Sequence, residues 1–137
     1  MPDIQMSLAF SPLYDLLYTG GCDAILHTYS VRDCKINKVL GGWNPFERKV
    51  ESQNGYLGPV MAILPIERHN ILVSAAMDSK ICLWDMVSNK FSKELEGQNK
   101  GICSLDWHEE YNLISSAGLE HDAHVWNPYV RRKIINL

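Results

Sequence analysis

The chain has 137 residues, 46% hydrophobic and 21% charged, a globular profile that is long enough for one ordinary domain and unlike a disordered segment. A net charge of −3 and a pI near 5.9 provide no basic field for nucleic acid or an anionic lipid surface. No apolar run is long enough to cross a bilayer, Met1-Pro2-Asp3-Ile4-Gln5 does not resemble a signal peptide, and there is no Asn-x-Ser/Thr acceptor. These features predict an intracellular, cytoplasmic protein without nucleic-acid or membrane partners. Cys22, Cys34, Cys82 and Cys103 have no paired spacing and read as reduced, mostly buried thiols.

Taken in chain order, alternating apolar and polar residues between polar turns predict strands near Met6 to Phe10, Leu16 to Gly20, Leu26 to Val31 and Asn37 to Leu40. A connection rich in aromatic and charged residues follows, "GWNPFERKVESQNGY" from Gly42 to Tyr56. The next group of strands is expected at Val60 to Leu64, Ile71 to Ala75, Lys80 to Asp85 and Phe91 to Leu95. The last is expected at Ile102 to Asp106, Leu113 to Ser116, Ala123 to Trp126 and Lys133 to Leu137. No helix is expected, so the chain reads as all-β.

The second group repeats in the third. A shift of 42 residues lays "SAGLEHDAHVWN" (Ser116 to Asn127) under "SAAMDSKICLWD" (Ser74 to Asp85), so Ser74, Asp78 and Trp84 meet Ser116, Glu120 and Trp126. A shift of 55 brings "TGGCDAILHTYS" onto the same template, with Thr19, Asp23 and Tyr29 in those places. The extra residues of the longer shift fall in the connection between Gly42 and Tyr56.

A repeat of about 40 to 45 residues with four short strands and a Trp-Asp at the end of the third marks one blade of a propeller. On Leu83-Trp84-Asp85, Val125-Trp126-Asn127 and the "LAFSP" of Leu8 to Pro12, the sequence resembles the WD-repeat family. The resemblance implies three four-stranded antiparallel blades: blade 1 at 1–43, an insertion at 44–56, blade 2 at 57–97 and blade 3 at 98–137. It also implies structural roles for the aligned Ser or Thr, acid and Trp or Tyr residues. Gly55-Tyr56 and Gly97-Gln98 stand where the family usually has Gly-His, so no repeat is expected to build the family's full hydrogen-bond network.

Three blades do not close a ring, because propellers close with about four to eight. The chain is therefore expected to be part of a larger propeller, or to complete its ring with a second copy or another subunit.

Catalysis finds no support in the residues. Ser74 and Asp78 lack a positioned base and an oxyanion site, so no catalytic residue is assigned. "EHDAH" (Glu120 to His124) offers ligand types that zinc accepts, but residues three apart on a strand point to opposite faces and nothing is spaced to complete a tetrahedron. A polar hairpin tip is the expected role, with no metal and no cofactor.

Trp43, Phe46, Arg48 and Tyr56 of the insertion have the composition of a protein-binding anchor. Packing of these aromatics over a neighbouring blade is the competing account. The functional expectation is a non-enzymatic scaffold whose inter-blade loops bind protein partners. A ligand-binding or enzymatic site at the central channel is the alternative, but the first strands there are small and apolar. "VWNPYV" (Val125 to Val130) further resembles large WD-repeat proteins of motile cilia, some with EF-hands, and implies a structural role in the axoneme of a cilium or flagellum. The chain has no EF-hand loop.

Overall fold

The computed structural model describes residues 4–22, 26–40, 43–44, 49–50, 60–77, 79–88, 90–95, 100–129 and 133–136. Three four-stranded antiparallel sheets follow one another along the chain. The first is β1 (Gln5–Ser11), β2 (Leu16–Gly21), β3 (Leu26–Ser30) and β4 (Lys35–Leu40), in that spatial order. The insertion that follows contains a short strand pair that was not expected, β5 (Trp43–Asn44) with β6 (Lys49–Val50). The second sheet is β7 (Val60–Ile66), β8 (Ile71–Ala76), β9 (Ile81–Asp85) and β10 (Lys90–Leu95). The third is β11 (Ile102–His108), β12 (Leu113–Gly118), β13 (His124–Trp126) and β14 (Lys133–Asn136). Each four-stranded sheet is a meander, which short strands joined by tight polar turns produce directly.

A second feature differs from expectation. A 3-10 turn, Glu67–His69, forms between β7 and β8 where the sequence predicts no helix. It closes on Asn70, whose left-handed backbone (φ 55°) lets its N–H reach back to the Glu67 carbonyl.

The first strands β1, β7 and β11 pack side by side, so they form the inner edge of the array. Each carries the same bulge: Met6, Met61 and Cys103 are extra residues opposite a single step of the neighbouring strand.

The core lies between sheets, and of the four cysteines it takes in Cys82 alone; Cys22, Cys34 and Cys103 are exposed, against the expectation of mostly buried thiols, because they sit in turns or on a bulge. Leu16, Tyr18 and Leu26 of blade 1 pack against Val60, Leu72 and Trp84 of blade 2. Val73, Ile81 and Leu83, on the other face of blade 2, pack against Ile102, Ile114 and Trp126 of blade 3. Blade 2 is apolar on both faces because, among the described residues, it is the blade with a neighbouring sheet on each side, and period-two alternation sends successive side chains to the two faces. Gly20 permits the first contact to be close, since a Cβ there would stand 2.6 Å from the Val60 side chain.

Candidate interaction surfaces and blade boundaries

In blade 2 the Trp84 indole N–H donates to Ser74 Oγ at 2.8 Å, and in blade 3 Trp126 donates to Ser116 Oγ at the same distance. All four side chains are buried, so each bond satisfies an indole that would otherwise lose water without compensation. Blade 1 has Thr19 and Tyr29 at these positions, and there the bond is not made. Thr19 Oγ1 and Tyr29 Oη are both buried without a hydrogen-bond partner. Asp23 and Asp78 lie outside the described residues.

Blade 3 adds a contact that the sequence reading missed. Glu120 Oε2 stands 2.5 Å from His124 Nε2, and His124 is buried on β13 rather than exposed at a hairpin tip. Strand alternation alone would keep residues of this stretch on opposite faces, but Glu120 is not on the strand. It reaches His124 from the turn between β12 and β13. Period two from Trp126 was the available signal, since it puts His124 on the buried Trp126 face.

The boundaries between blades carry their own recurring bonds. Ser7 Oγ donates to the Val60 carbonyl at 3.0 Å, and Tyr14 Oη donates to Asn70 Oδ1. Glu67 accepts from both Ser11 Oγ (2.6 Å) and the Leu13 N–H (3.2 Å). Between blades 2 and 3, His69 takes the place of Tyr14: its Nε2 lies 3.2 Å from Asn112 Oδ1. Because an amide oxygen only accepts, Nε2 carries the proton, and Nδ1 accepts from Tyr129 Oη at 2.8 Å. His69 also makes edge contacts with Trp107 and Tyr129.

Asp15, Asn70 and Asn112 occupy one repeat position and share left-handed backbones, φ 51°, 55° and 53°. Asp and Asn tolerate that region better than other side-chain-bearing residues.

Several large apolar side chains stand exposed at the end of the array where first strands turn into second strands and third into fourth. They are Leu13, Val31, Val87, Tyr111 and Tyr129. Between blades 2 and 3 this end also has a cavity of about 350 Å³, with Ile71 and Leu83 among its lining residues and His69, Lys93 and Tyr129 adding polar groups. The Lys93 ammonium sits 5.8 Å from the Tyr129 ring centroid.

Of the four candidate contact residues, Trp43 is described in its backbone, in β5; Phe46, Arg48 and Tyr56 lie outside the described residues.

The two outer faces differ. That of blade 1 is apolar, with Leu8, Leu17, Tyr29 and Val31 around a cavity of about 470 Å³. That of blade 3 is lined by Ser104, Asp106, Ser115 and Ala117. At the first internal boundary, burial pushes the Tyr18 phenol up to about 12, and the charges of Tyr14 and Glu67 add to the shift. Among the described residues no group of three or more His, Cys, Asp or Glu is placed to hold a metal ion, and no helix is long and apolar enough to cross a membrane.

Residues 47–85 and 89–127, more than half of the chain, match the family model "WD domain, G-beta repeat". The chain is 31% identical over 91 residues to cilia- and flagella-associated protein 337 B of Tetrahymena thermophila, covering 66% of this chain and 7% of that protein. It is 23% identical over 136 residues to a subunit of chromatin assembly factor 1 of Gallus gallus, covering 93% of this chain and 24% of that one. It thus spans a small part of each relative. Among solved structures, U3-55K superposes with a TM-score of 0.86 at 14% identity, covering 100% of this chain and 40% of that chain. The RRP9 WD40 repeats give 0.85 at 14% identity, covering 100% and 39%. Three consecutive blades, the indole-to-hydroxyl bonds in two of them and the match over both repeats lead to one assignment: the chain belongs to the WD40 repeat family.

Proposed function

We propose that the chain is a non-enzymatic protein-interaction scaffold, a three-blade propeller segment that presents its turns and inter-blade loops to protein partners. The division into blades at 1–43, 57–97 and 98–137 around an insertion at 44–56 is part of this reading. The observation that carries it is the exposure of Leu13, Val31, Val87, Tyr111 and Tyr129 along one turn end. Apolar side chains gathered on one surface are what a protein interface uses, whereas the Ser and Trp residues of the repeat are taken up by bonds within each blade. Trp43, Phe46, Arg48 and Tyr56 of the insertion are a second contact surface in this reading. The likeness to a cilia- and flagella-associated protein supports a structural place in the axoneme.

Proximity labelling from the tagged chain in ciliated cells tests both levels. Axonemal proteins should be labelled, and a Val87→Asp, Tyr129→Ala double variant should lose them while staying folded. Labelling that is unchanged in the variant would overturn the turn end as the interface. Labelling that never enriches axonemal proteins would overturn the ciliary placement.

A further inference from the structure

The turn after the third strand of each blade places one repeat position at the turn end: Arg32 in blade 1, Val87 in blade 2 and Tyr129 in blade 3. Arg32 is paired with Asp15 at 2.6 Å, so the rim of blade 1 is charged and answered within its own blade. Between blades 2 and 3 the rims are apolar and exposed. Val87 and Tyr129, one from each blade, line the cavity of about 350 Å³, and Ile71 and Leu83 are its more deeply placed apolar side chains.

The Tyr129 ring is held before any ligand arrives. Its Oη donates to His69 Nδ1 at 2.8 Å, its backbone N–H donates to Asn127 Oδ1 at 2.9 Å, and His69 is anchored in turn on Asn112. The Lys93 ammonium lies 5.8 Å from the centroid of the same ring. An aromatic surface and a cation that are already ordered add little entropic cost to binding. Lys93 and Asp85 are the two charged side chains among the described lining residues, and they are not equivalent. Asp85 Oδ1 accepts the N–H groups of Val87 and Ser88, at 2.8 and 3.4 Å, which holds the turn. An ammonium carries three donors and can meet an acid without leaving the ring. The surroundings share the sign of Lys93: Arg68 is exposed beside His69, and the chain runs on from Tyr129 through Val130 to Arg131, Arg132 and Lys133. Glu109 and Glu110, in the β11–β12 turn, are not among the lining residues.

We infer that this cavity takes a short extended segment of a partner protein in which an apolar side chain is flanked by aspartate or glutamate. The apolar side chain enters between Val87 and Tyr129 toward Ile71 and Leu83, and a neighbouring carboxylate meets Lys93. Size sets the class of occupant. The cavity is at the small end of the range of about 300–1,000 Å³ for sites that enclose a whole ligand, so it has room for one or two side chains. The exposed rims carry the apolar surface past the cavity, which suits a chain that continues on both sides of the inserted residue. The inference rests on the turn end being a protein interface and adds the chemistry of the partner at one point of it.

Selection of displayed random peptides on the protein, purified with any sequence that flanks these 137 residues in the cell, tests it. Enriched peptides should share an aliphatic or aromatic residue beside acidic ones. In fluorescence anisotropy a labelled peptide from that pool should bind Lys93→Met about tenfold or more weakly, since a charge-assisted hydrogen bond is lost while the apolar stem is kept. Selection on Lys93→Glu should enrich lysine or arginine in place of the acids, a reversal that a merely structural role for Lys93 would not produce. Ser92→Trp, at an exposed lining residue, should fill the cavity and abolish binding with the melt unchanged. No enriched peptide, enrichment of basic peptides drawn by Asp85, or enrichment of apolar peptides without acids would each overturn the inference. Binding that neither Lys93→Glu nor Ser92→Trp alters would overturn it as well. Any of these outcomes leaves the turn-end interface standing, because that reading falls only if labelling of partners is indifferent to the Val87 and Tyr129 double variant.

Discussion

Blades 1 and 2 share a four-stranded plan and differ in what covers them. Blade 2 is buried on both faces, and its Trp84 indole is satisfied inside the sheet by Ser74. Among the described residues blade 1 meets a neighbouring sheet on one face only, and on the other its Thr19 and Tyr29 hydroxyls are buried without a hydrogen-bond partner. A repeat position therefore does not have a fixed energetic worth. The hydroxyl and the aromatic ring stabilise a blade when they bond each other under a neighbouring sheet, and they remain a requirement on the surroundings when they do not.

Substitution at the aromatic position should break this comparison most visibly. Trp126→Ala, at a fully buried side chain, should cost about 3–5 kcal/mol in chemical denaturation, and Tyr29→Ala should cost markedly less because half of its surroundings are absent from the isolated chain. Equal losses would mean that cover by a neighbouring blade does not set the value of the position.

The hydroxyl position sharpens the contrast. Ser74→Ala should cost about 1–3 kcal/mol by leaving the Trp84 N–H buried and unpaired, while Thr19→Val should be close to neutral in the same denaturation experiment. A large loss for Thr19→Val would reveal a bond at blade 1.

The covered face of blade 1 contributes a pH effect. Tyr18 has its phenol raised to about 12 from 10.0, so between those values the folded chain holds a proton that the unfolded chain has released. The corresponding stability is complete below pH 10 and is lost as pH rises toward 12. Melting temperatures followed across this window should fall, and Tyr18→Phe should reduce the slope with little change at neutral pH, because the Tyr18 hydroxyl has no partner to lose.

The smallest effect concerns the boundary bond alone. Asn112→Gly keeps the left-handed backbone and removes the acceptor for His69, so it should cost about 0.5–1.5 kcal/mol in thermal unfolding. Asn112→Ala loses both and should cost more.

The strand plan was legible because it rests on local alternation and on a repeat whose offsets can be counted. The structural roles of Ser74, Trp84, Ser116 and Trp126 were implied by the family resemblance, and the repeat register only lined these residues up. His124 was misassigned because its neighbours in the chain are polar, and only the period running back from Trp126 shows which face it occupies. The boundary bonds were harder to see. Tyr14 and His69 are chemically unlike, and their common role depends on the left-handed Asp or Asn that follows and on a neighbour one repeat away. The insertion aromatics offered composition without a repeat register, and composition alone does not place a side chain.

The bulge on each inner strand has a further chemical consequence. Its extra residue is Met6, Met61 or Cys103, so all three blades set a sulfur at the same level of the inner edge, two of them exposed and one half-exposed. Oxidants meet thioether and thiol most readily where solvent reaches them, and a methionine sulfoxide there replaces a soft apolar contact with a polar one. Oxidation would thus make the inner rim more polar, as it would the exposed Cys22 and Cys34 thiols elsewhere on the array.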